Sequence, residues 1–153
     1  FKMKKIIYIF LFFFLSQCGY SPLYNNIDSE EISIVLKDIK GDNKINNVIK
    51  SQLRNYLNDE KDKLFKISLS TSYKKIIISK NLKGVAVEYK LEANTKFNIL
   101  YDGKNYEFSA NEKLNTKNSS KSFELKRYEN IVKNNFAESI TKKLILKLIS
   151  IKW

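Results

Sequence analysis

Val85-Ala86-Val87-Glu88-Tyr89-Lys90-Leu91-Glu92-Ala93-Asn94-Thr95-Lys96-Phe97-Asn98-Ile99-Leu100-Tyr101 alternates side-chain character over its whole length. Val85, Val87, Tyr89, Leu91, Ala93, Thr95, Phe97, Ile99 and Tyr101 share one parity; Ala86, Glu88, Lys90, Glu92, Asn94, Lys96 and Asn98 share the other. Successive side chains of a strand point to opposite faces, so this period of two predicts a long strand with one buried and one wet face. Asp102-Gly103 supplies a hairpin turn, and Tyr106, Phe108 and Ala110 start a returning strand that ends near Leu114. Upstream, Phe65, Ile67, Leu69, Thr71 and Tyr73 alternate with Lys66, Ser68, Ser70, Ser72 and Lys74 in a further strand of the same kind. Ile76-Ile77-Ile78 breaks that alternation, as expected where the strand twists or is covered on both sides, and Ser79 to Gly84 reads as a basic turn.

Two helical stripes flank this strand-rich centre. Ile32-Ser33-Ile34-Val35-Leu36 reads as a first strand, rich in β-branched residues. Gly41-Asp42-Asn43 then forms a turn that doubles as a helix N-cap. Ile45, Val48, Ile49, Leu53, Tyr56 and Leu57 follow at helical spacing, giving one apolar stripe that ends in the charged stretch Asn58 to Lys63. After a polar segment, Asn115 to Ser122, a last helix runs from about Phe123 to Ile149. Its stripe is Leu125, Tyr128, Val132, Phe136, Ile140 and Leu144, widened by Ile131, Ala137 and Leu148. The order β-α-β-β-β-α predicts an α+β fold: a four-stranded, mostly antiparallel sheet with two helices packed on one face.

The start of the chain reads differently. Lys4 and Lys5 precede the apolar run Ile6 to Leu15, which closes in Ser16-Gln17-Cys18. The run is too short for a bilayer span, which needs about 20 apolar residues, and has the length of a signal-peptide core. A cysteine directly after such a core marks a bacterial lipoprotein signal. Residues 1–17 are therefore expected to be a lipoprotein signal peptide, 18–31 the lipidated N-terminus and tether, and 32–153 a single α+β domain. The alternative is a general signal peptide with a chance cysteine, and Gln17 stands where lipoprotein signals usually carry Gly, Ala or Ser. Met3 is the expected start codon rather than Phe1.

The chain carries 28 basic and 16 acidic residues, no histidine and one cysteine. Without histidine, and with Cys18 committed to acylation, imidazole general bases, nucleophilic triads, thiol chemistry and most zinc or copper sites drop out. Asp59, Glu60 and Asp62 crowd a helix end, and Glu88 and Glu92 sit on the wet face of a strand, where ordinary surface charge is the simpler reading. With no Gly-rich phosphate loop, metal-spaced cluster or serine elbow in the sequence, a non-enzyme without a metal site is expected. Excess positive charge in an exported chain favours anionic lipid or phosphorylated glycolipid over nucleic acid. The abundance of Lys, Asn and Ile also fits an AT-rich genome, so individual lysines are equally well read as solvated surface.

Cys18-Gly19-Tyr20-Ser21-Pro22-Leu23-Tyr24 resembles the Cys-Gly-Phe-x-Pro-Leu-Tyr start of the alphaproteobacterial-type lipopolysaccharide-assembly lipoproteins, the LptE-type partners of the LptD-type outer-membrane barrel. Gln52-Leu53-Arg54-Asn55-Tyr56-Leu57, Asn98-Ile99-Leu100 and Phe136-Ala137-Glu138-Ser139-Ile140 are also similar to segments of that family. The resemblance implies acyl and diacylglycerol groups on Cys18, no other cofactor, and a periplasm-facing place in the outer membrane inside the barrel lumen. Gly19, rather than Asp, after the cysteine agrees with outer-membrane sorting. It further implies a plug that assists barrel assembly and helps deliver lipopolysaccharide to the outer leaflet. Lys74, Lys75, Lys80 and Lys83 around one turn, and Lys113, Lys117 and Lys121 around another, are the candidate contacts for its phosphates. Other expectations compatible with the anchor and body are a secretin pilot, a barrel-assembly component, or a periplasmic enzyme using paired carboxylates.

Overall fold

The structure, a computed structural model, describes residues 32–58, 64–118 and 122–152; the signal segment, Cys18 and the tether lie outside the described residues. Strand β1 spans Ile34–Gly41, β2 Phe65–Lys80, β3 Ala86–Tyr101 and β4 Lys104–Lys117. They form one sheet in the order β1-β2-β3-β4. β2, β3 and β4 run antiparallel as a meander, with Thr71 opposite Thr95 and Thr95 opposite Ala110. β1 is parallel to β2, with Ile34 opposite Phe65 and Gly41 opposite Thr71. A parallel pair needs a crossover, and helix α1 (Asn43–Gln52) with a single 3-10 turn at Arg54–Tyr56 provides it. Helix α2 (Ser122–Lys152) returns along the same face.

The alternation read from the sequence is what builds the core. Phe65, Ile67 and Leu69 of β2, Leu91, Ala93, Phe97 and Ile99 of β3, and Ala110 of β4 are buried on the helix side. Above them lie Ile45, Ile49 and Leu53 from the crossover and Val132, Ala137, Ile140, Leu144 and Leu148 from α2. Aromatic rings close the lower end: Phe65 stacks on Tyr101 at 4.1 Å, and Phe97 on Phe108 at 5.8 Å between centroids. In the centre of this apolar face, the buried Thr71 and Thr95 hydroxyls satisfy each other at 3.0 Å.

The β1–α1 junction is the most constrained turn. Gly41 has φ +97°, and a Cβ placed there would stand 1.7 Å from the Thr71 carbonyl oxygen, so only glycine fits. The following Asp42 N–H donates to that same carbonyl at 3.0 Å. Its side chain then caps α1, its Oδ1 accepting from the Ile45 N–H at 3.0 Å. The other carboxylate oxygen receives Lys133 Nζ of α2 at 2.7 Å, which fastens the two helices to one strand end.

Several boundaries differ from the sequence expectations. β1 begins at Ile34 and continues to Gly41 instead of ending at Leu36, because as an edge strand it is held by backbone pairing while its later side chains stay exposed. α1 ends at Gln52, not Leu57: the chain turns so that Leu57 can bridge to Ile34. Ile76, Ile77 and Ile78 are covered on neither side, being 39%, 48% and 45% exposed, and their broken alternation coincides with a bulge between Ile77 and Ser79. β4 runs on to Lys117, so Asn115-Thr116-Lys117 is strand and not part of a polar connection. Tyr128 and Ile131, counted in the stripe of α2, remain exposed, and the buried stripe of the helix begins at Val132.

Candidate functional site

Meander strands of 14 to 16 residues outrun the helices that cover them. Tyr73 and Lys75 tie the sheet to the last helix through Lys133 and Glu129. Beyond them β2 and β3 continue to a turn at residues 81–85, about 23 Å further at 3.3 Å per residue. β4 accompanies them as far as the pair Glu88–Lys117, after which Asn118 donates its backbone N–H to Val87 O at 2.8 Å and its side-chain amide to Ala86 O at 2.8 Å. Lys113 and Lys117 therefore lie in the same half of the sheet as Lys74, Lys75, Lys80 and Lys83, although the sequence assigned them to a separate turn.

Their surroundings differ. Lys74, on the outer sheet face, stands opposite Glu92, which in turn stands opposite Lys113. Lys90 also approaches Glu92 at 3.6 Å. The Asn111 amide, then the neighbouring ammonium groups, hold the Glu92 carboxyl below the usual carboxylate range. Lys117 is paired in register with Glu88. Lys80 and Lys83 are exposed at the tip itself. Lys75 has the opposite parity: it faces the helices, ion-pairs with Glu129 of α2 at 3.2 Å and lies 4.5 Å from the Tyr89 ring centroid. It is a tie between sheet and helix. Lys121 lies outside the described residues, as does Cys18.

Beneath Lys75 the same seam continues as Lys133, paired with Asp42 and 4.1 Å from the Tyr73 ring centroid. Burial works against the charge of Asp42, but the Lys133 ammonium and the N–H groups of Ile45 and Lys44 outweigh it and hold the carboxyl below its ordinary value. Burial, reinforced by the negative charges of Glu129 and Asp42, pushes the Tyr73 hydroxyl well above the ordinary phenol range. On the β4 side, Glu112 accepts from Ser139 at 2.7 Å and from Lys143. These charges join elements to one another, which is why sequence spacing gave no sign of them. Among the described residues no three acidic or thiol side chains gather as a metal ligand set, and no described helix is long and apolar enough to cross a membrane.

The outer sheet face has a separate character. Ser68, Ser70, Asn98 and Ser109 line a recess on it together with two lysines, Lys40 and Lys96, and two acids, Asp38 and Glu107. Hydroxyls, an amide and charges of both signs are presented there, and among the described residues no helix or strand covers them.

No protein-family model matches the chain, and no curated protein matches it. Solved structures do. Rare lipoprotein B from Shewanella oneidensis superimposes with a TM-score of 0.59 at 14% identity, over 78% of this chain and 100% of that one. A candidate lipoprotein from Caulobacter crescentus does so with a TM-score of 0.54 at 14% identity, over 80% of this chain and 90% of that one. The chain shares their fold. Both comparison proteins bear the word lipoprotein in their descriptions, and both are matched over nine-tenths or more of their length.

Proposed function

We propose that this chain is an outer-membrane lipoprotein that occupies the lumen of a lipopolysaccharide translocon barrel, aids its assembly and helps pass lipopolysaccharide to the outer leaflet. The observation that carries this reading is the placement of its two ends. The described chain begins at Ile32 and enters β1 at the Phe65 end of the sheet, which is one pole of the domain. The basic tip of the β2–β3 hairpin is the opposite pole, about 50 Å away along 16-residue strands. That exceeds the roughly 25 Å apolar band of an outer-membrane barrel, so a body anchored at the inner side has the length to reach the outer one. A lumen is polar, and the outer sheet face presents serines, Asn98 and charged side chains of both signs to match it. The lipoprotein fold neighbours and the Cys18 signal support the anchor. A single acyl chain binds a membrane only marginally, so several on Cys18 make attachment lasting.

The test is affinity purification of the tagged, lipidated protein from outer membranes, with mass spectrometry of what accompanies it. One large barrel of the lipopolysaccharide-translocon type in equal proportion is the expected result; a secretin or another assembly machine in its place overturns the reading. Charge reversal at Lys80 and Lys83, or at Lys113 and Lys117, is expected to weaken binding of purified lipopolysaccharide while the fold persists. Unchanged binding removes that pair from the site.

A further inference from the structure

The hairpin tip combines four properties that the lysines alone do not explain. Its aliphatic side chains are exposed: Leu82 at the apex is 107% exposed, Val85 54%, and Ile77, Ile78 and Val87 between 40% and 48%. They point in several directions, because Ile77 and Val87 lie on the helix side, the bulge at Ile78 shifts the register, and Leu82 sits at the end of the turn. A groove on a protein covers one face of a hairpin; a side-chain set exposed on all sides is solvated by a medium that surrounds it.

The backbone of the turn is also satisfied from within. Asn81 Oδ1 accepts from the N–H groups of Lys83 and Val85, both at 3.0 Å. The Asn81 N–H donates to Val85 O and the Gly84 N–H to Asn81 O, both at 2.9 Å, with Gly84 in the left-handed region at φ +77°. Four N–H groups of the turn, those of Asn81, Lys83, Gly84 and Val85, are thus already bonded, which lowers the cost of bringing it from water to the edge of a lipid phase. Finally, Lys80 and Lys83 bracket the apex, Lys74, Lys90 and Lys117 follow at its base, and the acid nearest along the strands, Glu88, is opposite Lys117.

We propose that the β2–β3 tip is a lipid-inserting element for an anionic phospholipid surface, in which Leu82, Val85 and Ile78 enter the acyl boundary and Lys80 and Lys83 meet the phosphates. The turn is already closed by its own hydrogen bonds, so little ordering opposes insertion, and its shallow reach suits the outer 5–10 Å of a leaflet. Each lysine near an anionic surface adds attraction that salt weakens. This inference stands on the tip alone and does not rest on the lumenal placement proposed above, in which the same Lys80 and Lys83 meet lipopolysaccharide instead.

The experiment uses the chain from residue 18 onward with Cys18→Ser, so that no acyl group contributes; all core residues named above lie within 32–152. Binding is measured by co-sedimentation with vesicles of phosphatidylcholine alone and with about 30% phosphatidylglycerol. Salt-sensitive binding to the anionic vesicles is expected, with little to the neutral ones. Leu82→Asp combined with Val85→Asp, both at exposed positions, should weaken it at least about tenfold while the melting temperature is kept. In a Trp153→Phe background, Leu82→Trp should shift its emission to shorter wavelength when anionic vesicles are added. No binding, unaltered binding of the double Asp variant, or an emission that does not move overturns the proposal. So does an equal loss from Lys104→Glu with Lys142→Glu, since those exposed lysines lie away from the tip and their effect would mean that net charge alone attracts the protein.

Discussion

Replacing Asp42 probes the junction where strand, crossover and last helix meet. Its carboxylate does two things at once: Oδ1 caps α1 at the Ile45 N–H, and Oδ2 receives Lys133 at 2.7 Å, both side chains being 17% exposed. Asp42→Ala removes both functions. Loss of the cap costs about 1 kcal/mol, and loss of a charge-assisted hydrogen bond in this half-shielded position about 1–2 kcal/mol. Together they come to about 2–3 kcal/mol, or roughly 6–12 °C in Tm for a domain of this size. Asp42→Asn keeps an acceptor for Ile45 and loses the charge, so it should cost about 1 kcal/mol less than Asp42→Ala. Combining Asp42→Asn with Lys133→Met should be less damaging than the two single changes added, by about 1–2 kcal/mol, because they remove one shared interaction.

Urea unfolding at pH 7 followed by tryptophan emission or circular dichroism measures all four variants. The pH dependence has a definite sign. Because the folded-state pKa of Asp42 is depressed, its contribution is complete above the ordinary aspartate range and is lost as the pH falls below it, through the lowered folded value. The stability gap between wild type and Asp42→Asn should therefore close below about pH 4. Additive single variants, or a gap that stays constant down to pH 2–3, would refute the reasoning from the ion pair.

Further expectations follow from the same geometry. Gly41→Ala should cost more than about 3 kcal/mol or prevent folding, since left-handed strain adds to a collision with the Thr71 carbonyl that only a shift of β1 relieves. Gly84→Ala, with equal handedness but nothing within 4 Å, should cost only about 1–2 kcal/mol, and thermal melting compares them directly. Thr71→Val or Thr95→Val alone leaves one buried hydroxyl unpaired and should cost about 1–3 kcal/mol, whereas the double variant should recover most of that loss in denaturant titrations. Lys75→Met should lower Tm measurably, by about 0.5–1 kcal/mol of stability, while Lys74→Met stays within about 0.5 kcal/mol, because only Lys75 reaches Glu129.

Much of the fold was legible in local pattern. The period of two from Val85 to Tyr101, the Asp102-Gly103 turn and the four-residue steps of α2 each follow from the need to bury one face, and each corresponds to an observed element. Gly41-Asp42-Asn43 was legible as a cap because its chemistry is local. Pattern failed where burial did not decide the structure. The second half of β1 is paired through its backbone alone, and Asn115 to Lys117 extend β4 although their side chains look like those of a loop. Ile76 to Ile78 misled in the other direction, being apolar yet exposed, because the hairpin outgrows the helices that would cover it.

The candidate site divides along the same line. Sequence by itself determined that Lys80 and Lys83 flank a turn, that Lys74 and Lys75 must face opposite ways, and that a strand-rich body with two amphipathic helices follows the apolar run Ile6 to Leu15. It could not say which of Lys74 and Lys75 reaches the helices, nor that Lys113 and Lys117 share one half of the sheet with them. Those facts depend on register across three strands and on which turn of α2 passes over β2, since the contacts Lys75–Glu129 and Lys133–Asp42 join residues 54 and 91 positions apart. Period and capping are set by neighbours within a few residues, where backbone geometry is fixed. Partnership between charges is set by packing, and only the assembled core brings those charges within reach.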